Sequence, residues 1–533
     1  MIETTGEAGA RALRKARMSA TQEPIVERAL GRAIERGLGG YRRPFVRPDA
    51  SRPTRLPRPL RVAVVGGGLA GMLASYVLAE RGAAVTLFEK EPHLGGKLGG
   101  WREDFVDPRT GSVVSLPVDH GFHAFFPHYY NFATWLARLG IRNLRNIGEY
   151  RILRTDGSTL SFDDRGKAPG LNVLGLARQG LFGLSDVLPP TGRMILLERF
   201  FRYHPERTFE SYDHVSFQAF VERTRLPKAI SLVFTTFSRA FFADPDRMSL
   251  AELIKAFHFY YLSHDRGLLY DYLAEGYESG LVRPLRAHLD RVGVEVRLGA
   301  PVGSLARRDG ALEVEGARFD DVILAAPASA VREILLASPF VCDEAPELLG
   351  RLGALRPGQR YAILRLFSER RISPEGPVFV ATERKRLLDS VTFLHRVDPE
   401  IERWCEGRRG VYELHSYAVP DDVPDDDVGR LFEEELVSFY PALRGAVHVH
   451  RHLQLKRDFS AFHVGRHADR PSTVSPVRGL TFAGDWVKLP LPAMLLEAAT
   501  VSALLAANTI LDREGCAVEA IDTVPLRGLL ARP

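Results

Sequence analysis

Cysteine is nearly absent from this 533-residue chain: Cys342, Cys405 and Cys516 stand far apart, without a C-x-x-C pair. That excludes a disulfide framework and a cysteine-based zinc site, and makes a reducing compartment the default. Residues 1–60 lack the continuous apolar stretch of a secretory signal. A one-sided charge excess is missing from most of the chain. Residues 1–61 hold fourteen Lys and Arg against six Asp and Glu, a net +8, so the other 472 residues carry −3 of the total +5. No nucleic-acid partner is expected for a body that is not basic. With 45% hydrophobic and 26% charged residues, 47 Gly and 34 Pro, collagen-like, coiled-coil and largely disordered classes drop out. The length calls for two or three domains.

What is present begins with a basic leader. From Pro24 to Leu38, Ile25, Val26, Ala29, Leu30, Ala33 and Ile34 share one helical face, with Arg28, Arg32 and Arg36 opposite. Such a helix lies on an anionic membrane surface, packs on the body or stays solvated, and the pattern leaves these open. Five prolines in residues 44–59 read as an extended linker. The most hydropathic window, Pro490–Leu511, has the length of a bilayer span, but Glu497, Thr500, Ser502, Asn508 and Thr509 recur in it and predict a buried core helix. Leu171–Pro190, broken by Arg178 and Asp186, reads as a buried helix pair or a membrane-dipping lip. The expected location is cytoplasmic, with the leader allowing peripheral association with the inner face of the cell membrane.

Val62, Ala63, Val64 and Val65 form an apolar run suited to a buried parallel strand. Gly66-Gly67-Gly68-Leu69-Ala70-Gly71 follows and opens an apolar helix, then comes Ala84-Val85-Thr86-Leu87-Phe88, ending at Glu89 eighteen residues past Gly71. This is the strand, glycine turn, helix, strand and acid of a dinucleotide site. Gly66 permits the tight turn, Gly68 lets backbone amides reach a pyrophosphate, and Gly71 lets helix and strand pack closely. The helix N-terminus favours phosphate, and Glu89 can accept from ribose hydroxyls. After Glu89-Lys90, the run Gly95-Gly96-Lys97 suggests chain passing under the flavin side of a bound FAD. No second GxGxxG stands in such a setting, so no separate NAD(P)H domain is expected.

At this point residues 62–512 resemble the FAD-dependent amine-oxidase and carotenoid-desaturase superfamily. Asp321-Val322-Ile323-Leu324-Ala325-Ala326-Pro327 looks like the family's central strand, and Gly293–Val296 with Pro301-Val302 like the segment that contacts adenine. Gly479–Trp486, with Gly484 and Asp485, looks like the late FAD motif whose Asp bonds the ribityl chain. The helix after it would aim its positive end at the flavin pyrimidine ring. Asp119-His120-Gly121-Phe122-His123-Ala124-Phe125-Phe126 is similar to a segment of phytoene and zeta-carotene desaturases, and Val487–Pro492 with Glu497 resembles the desaturase/methyl-shifting enzymes that make aromatic carotenoid end rings. Two positions depart from the pattern. Leu495-Leu496-Glu497-Ala498 replaces the usual Ser-Met-Glu-Gly, placing Leu496 toward the flavin by alignment, and Lys97 stands where amine oxidases have Arg.

The resemblance implies an α/β architecture, a Rossmann-like FAD domain interleaved with an α+β substrate domain. FAD segments fall at 61–150, 271–330 and 471–512, and substrate segments at 151–270 and 331–470, between the leader 1–60 and a C-terminal tail 513–533. The implied FAD contacts are Gly66, Gly68, Leu69, Ala70, Gly71, Glu89, Lys90, Gly95, Gly96, Lys97, Val302, Gly484, Asp485 and Leu496. The implied reaction is desaturation of a lipophilic isoprenoid, most naturally a carotenoid, by hydride transfer to flavin N5, with quinone or oxygen as electron acceptor. Seven aromatics in residues 119–135 and a second cluster at 257–261 suit an apolar tunnel, though aromatic clusters also build cores. Phe122, Phe125, Phe126, Tyr129, Phe257 and Tyr260 are the candidate substrate residues. His120 and His123 are the candidate acid/base groups, the alternative being structural histidines around a tight turn. No metal site is expected, a His120/His123/His128 cluster being disfavoured by its aromatic flanks. Arg360–Phe367, Pro377–Ala381, Ser390–His395 and Gly410–Val419 read as strands, Arg151–Phe162 as a hairpin at Asp156-Gly157, and Asp421–Asp427 as a solvated acidic loop. Three other functions share the motifs: an amine or porphyrinogen oxidase, a non-redox isomerase or methyl-shifting enzyme, and a flavin-bound scaffold at a membrane.

Overall fold

A computed structural model describes residues 40–163, 198–224, 241, 243–267, 269–460 and 462–531. The stretches Pro24–Leu38 and Leu171–Pro190 lie outside the described residues. Five short strands from distant parts of the chain form one parallel sheet, in the spatial order Glu295–Arg297, Ala84–Phe88, Arg61–Val65, Asp321–Leu324 and Leu480–Phe482. Both faces are covered. Val62 and Val64 join the core of helices Leu69–Glu80 and Leu495–Arg513, whereas Ala63 and Val65 join that of helices Ala328–Leu336 and Pro346–Ala354. Covering both faces explains why these strands read as unbroken apolar runs.

A seven-stranded sheet forms the second layer, in the order His448–Lys456, Tyr361–Ser368, Gly410–Ser416, Ser390–Phe393, Phe379–Thr382, Glu149–Leu153 and Thr159–Asp163. It is antiparallel except where Phe379–Thr382 meets Glu149–Leu153, and the hairpin at Asp156-Gly157 is its edge. The two-residue period of the strands sorts their side chains. Leu364, Val380 and Leu414 pack with Leu431, Phe432 and Leu436 of helix Val428–Phe439. Their neighbours Ile363, Phe379, Ala381 and His415 face a cavity on the other side.

The helix Leu495–Arg513 is long and apolar enough to cross a bilayer, yet Val501, Leu504, Ala507 and Ile510 are buried in the core beside helix Leu69–Glu80. Two local expectations change. The first residues of the proline-rich stretch form strand Arg43–Val46, paired antiparallel with Ile521–Thr523, so both ends of the described chain close on each other. The acidic loop is docked as well as solvated, because Arg247 pairs with Asp421 and Arg360 with Asp425.

Glu497 joins the last helix to helix Tyr130–Arg138. Its buried carboxylate accepts from the Asn131 backbone N–H at 3.0 Å, the Asn131 amide at 2.6 Å and the Phe132 N–H at 3.0 Å. These are amides at the start of that helix, which otherwise lack partners. Burial pushes the Glu497 carboxyl up to about 7, partly offset by the three donors. The folded protein therefore holds a proton that the unfolded chain releases near the ordinary Glu value of about 4.3. Stability from this group is complete below that value and is lost as pH rises toward 7. In chemical denaturation, the stability of the wild type relative to Glu497→Gln is expected to fall as pH rises from 5 to 7, the buried histidines contributing equally to both. Glu497→Ala is expected to lose roughly 1–3 kcal/mol through its stranded amides.

Candidate active site

One cavity of about 990 Å³ runs between the two sheets. At one end it is lined by Gly66, Gly68, Leu69, Ala70, Glu89 and Lys90, and further along by Gly95, Gly96, Lys97, Val302, Gly484 and Asp485. Gly66 has φ +112°, and a Cβ there would stand 2.7 Å from the Ala325 carbonyl oxygen. Gly71 does not line the cavity. A Cβ on it would fall 1.9 Å from the Gly66 carbonyl oxygen, so its hydrogen is what lets the helix lie against the turn. A Cβ on Gly68 would meet nothing closer than 4.0 Å, which leaves the backbone at the helix N-terminus open to a ligand. Glu89 is fixed by its own backbone neighbours: Oε2 accepts from Gly67 N–H at 2.6 Å and Oε1 from Glu91 N–H at 2.9 Å. A bare turn, an ordered acid and a helix N-terminus facing one cleft are the parts that a dinucleotide needs, and they fit FAD.

Beyond the double glycine, Lys97 Nζ lies 3.9 Å from Asp485 Oδ2 and 4.0 Å above the Phe459 ring. The N-terminus of helix Leu495–Arg513 opens here, with Leu495, Leu496 and Ala499 in the cavity wall. Leu495 has φ +49°, a left-handed conformation that costs a branched residue about 1–2 kcal/mol. Backbone strain at a helix start facing a cleft is the pattern of functional sites.

The far end is a chamber of rings. Phe122 stacks on Phe379 at 5.1 Å, Phe126 meets Tyr260 edge-on at 4.7 Å, and the Tyr129 and Tyr260 hydroxyls are 2.7 Å apart. All five line the cavity, with Tyr150, Tyr270 and Tyr417. Two of the candidate substrate residues stand elsewhere. Phe125 packs on Phe132 at 5.1 Å, and Phe257 on Phe200 and Tyr261 at 5.3 and 4.9 Å, both inside the core.

The Asp119–His123 segment rests on a buried ionic platform. Arg365 donates to Asp119 Oδ1 at 2.8 Å and pairs with Glu413. Asp119 also accepts from Gly121 N–H at 3.0 Å, and Glu413 from Phe122 N–H at 2.9 Å and from His415 Nε2 at 2.8 Å. Burial raises the Asp119 carboxyl, whereas the Glu413 carboxyl is held low by Arg365 and His415 against its own burial. His123 Nδ1 lies 2.6 Å from the Gly121 carbonyl oxygen. A carbonyl only accepts, so Nδ1 carries the proton and Nε2 keeps its lone pair. His120 Nε2 lies 2.8 Å from the Tyr361 hydroxyl, which donates to Asp458 Oδ1 at 2.9 Å, so His120 is the donor of that chain. Burial lowers His120 to about 3 and His123 to about 4, leaving both imidazoles neutral at physiological pH. His128 lies apart, buried against Phe259 and Tyr260.

Tyr361, Arg365, Glu413, His415 and Asp458 are absent from the sequence-derived candidates. The one clue was Arg365 itself, a charge in the apolar strand Tyr361–Ser368. Tyr150, Tyr270, Phe379 and Tyr417 gave no signal, because a ring facing a cavity and a ring facing a core leave the same trace in sequence.

The family model described as flavin containing amine oxidoreductase matches residues 69–511. Among curated proteins, the carotenoid phi-ring synthase of Streptomyces griseus is 36% identical over 88% of this chain and 90% of that protein. The 15-cis-phytoene desaturase of Synechococcus elongatus is 22% identical over 85% of this chain and 96% of its own. Among solved structures, a redesigned putrescine oxidase superposes with a TM-score of 0.61 at 15% identity, covering 86% of this chain and 100% of that one.

Flavin absorbance per purified chain tests the cofactor placement. Glu89→Ala and Asp485→Ala are expected to emerge depleted of FAD, and Gly71→Ala to lose both FAD and thermal stability. Wild-type occupancy in either acidic variant contradicts the placement.

Proposed function

The chain belongs to the flavin containing amine oxidoreductase family and is an FAD-dependent oxidoreductase; from that premise we propose that it oxidises a six-membered carotenoid end ring to an aromatic one. The observation that carries this reading is the single cavity that joins the dinucleotide cradle to a chamber of aromatic rings. A polyene offers only apolar area and must be selected by shape, which a ring-lined chamber can do. The name of the Streptomyces griseus relative adds the ring as target, and the near-complete mutual coverage makes the transfer reasonable.

Converting a cyclohexene ring that bears a quaternary dimethyl carbon into an arene removes four hydrogens, as two hydrides and two protons. One methyl group also migrates to the neighbouring carbon. The process is two two-electron oxidations, with quinone or oxygen as the terminal acceptor. Bound FAD supplies the two-electron acceptor, held by Gly66, Gly68, Glu89, Val302 and Asp485.

The chain's own residues do the rest. Phe122, Phe126, Tyr260 and Phe379 exclude water from the ring. They also border a carbon skeleton that becomes electron-poor as hydride leaves, and any ring face turned to it would contribute about 0.5–2 kcal/mol of attraction. A methyl shift requires such positive character, and the chamber delays its capture by water. His123 takes the proton. Its Nε2 lone pair is fixed by the Nδ1–H bond to Gly121, and a base with a pKa near 4 suffices because a C–H beside a carbocation is strongly acidic. His120, tied to Tyr361 and Asp458, holds the turn that aims His123.

Mass spectrometry of products from a β-ringed carotene tests the reading. A product lighter by four hydrogens per ring, with an aromatic NMR signature, is expected. Unchanged mass or turnover of amines alone contradicts it. His123→Ala is expected to keep wild-type FAD content while turnover falls roughly 10²–10⁴-fold; undiminished turnover removes His123 from the mechanism.

A further inference from the structure

Outside the cavity, strand Gly100–Val106 lies across the edge strand His448–Lys456. The two-residue period gives each a working face: Trp101, Glu103 and Phe105 on the first, His448, His450 and His452 on the second. Where they meet, Glu103 Oε1 stands 3.1 Å from His450 Nε2 and 3.2 Å from His452 Nδ1, and all three atoms lie within 4.8 Å of one another. The Glu103 carboxylate therefore faces two imidazoles and, among the described residues, no paired Lys or Arg.

We propose that Glu103, His450 and His452 form a binding site for a divalent first-row transition ion such as Zn²⁺. Metal–ligand bonds of about 2.0–2.2 Å give ligand–ligand edges of roughly 3.0 Å in an octahedron and 3.4 Å in a tetrahedron, and the two observed edges fall between them. The rings are already held in place. His450 stacks on Phe105, with centroids 4.7 Å apart and planes 2° apart, and His452 meets Trp101 edge-on at 6.0 Å. His452 Nε2 and Gln454 Oε1 are both buried without a hydrogen-bond partner. Three protein ligands leave the remaining positions to water. Trp101 also lines the flavin cavity, so the ion would sit behind its wall.

Zn²⁺ titrated into the untagged, flavin-loaded protein by calorimetry, with elemental analysis after gel filtration, tests the site. One ion per chain is expected, with saturable binding lost in the His450→Ala/His452→Ala variant and weakened in Glu103→Gln, while both keep wild-type flavin absorbance. Absence of saturable binding in the wild type, or equal binding in the double variant, overturns the proposal.

Discussion

Arg365 is the constraint around which the active site is organised. A guanidinium taken wholly out of water is tolerable only when its donors are satisfied and its charge is matched. Asp119, Glu413 and the Pro117 carbonyl at 2.9 Å supply both. Arg365 and Glu413 belong to adjacent strands of the seven-stranded sheet, whereas Pro117 and Asp119 end the hairpin that leaves the dinucleotide segment. The ion cluster thus locks one half of the cavity to the other. Its carboxylates also accept the backbone N–H groups of Gly121 and Phe122, so the turn carrying His120 and His123 is set by electrostatics rather than by loop packing.

The second consequence is a division of polarity along one cleft. Near the glycine turn the walls offer backbone amides, Glu89, Lys97 and Asp485, groups suited to phosphate and sugar. At the far end they offer rings, and the ionisable groups beneath them are paired with each other or neutral. A buried imidazole kept uncharged is a proton acceptor that costs little to desolvate. The chamber can therefore be dry and still contain a base.

Much of this was legible in the sequence because it is local. The strand, glycine turn, helix and acid at 62–89 read correctly, since each glycine answers a steric demand within a few residues of itself. The sheet strands at 361–368, 379–382, 390–393 and 410–416 read from β-branched and aromatic runs bounded by turns. The apolar helix at 495–513 declared itself buried through its repeated polar residues. The rest is non-local. His120 meets Tyr361 across 241 residues and Asp458 lies 97 beyond that, so no spacing rule reveals the chain of hydrogen bonds. Aromatic composition pointed to an apolar pocket but failed to sort Phe126, in the wall, from Phe125, in the core. Adjacent residues differ there only in which way a short irregular segment turns them.

The most direct test of the central claim, one flavin opening onto an apolar, ring-lined chamber, is an anaerobic single turnover. The yellow protein is mixed without oxygen or quinone with either a β-ringed carotene or a polyamine, and flavin absorbance is followed. The account predicts that the carotene bleaches the flavin, with two hydrogens lost from the carotene per flavin reduced, while the polyamine leaves it oxidised. Bleaching by the polyamine and none by the carotene contradicts it.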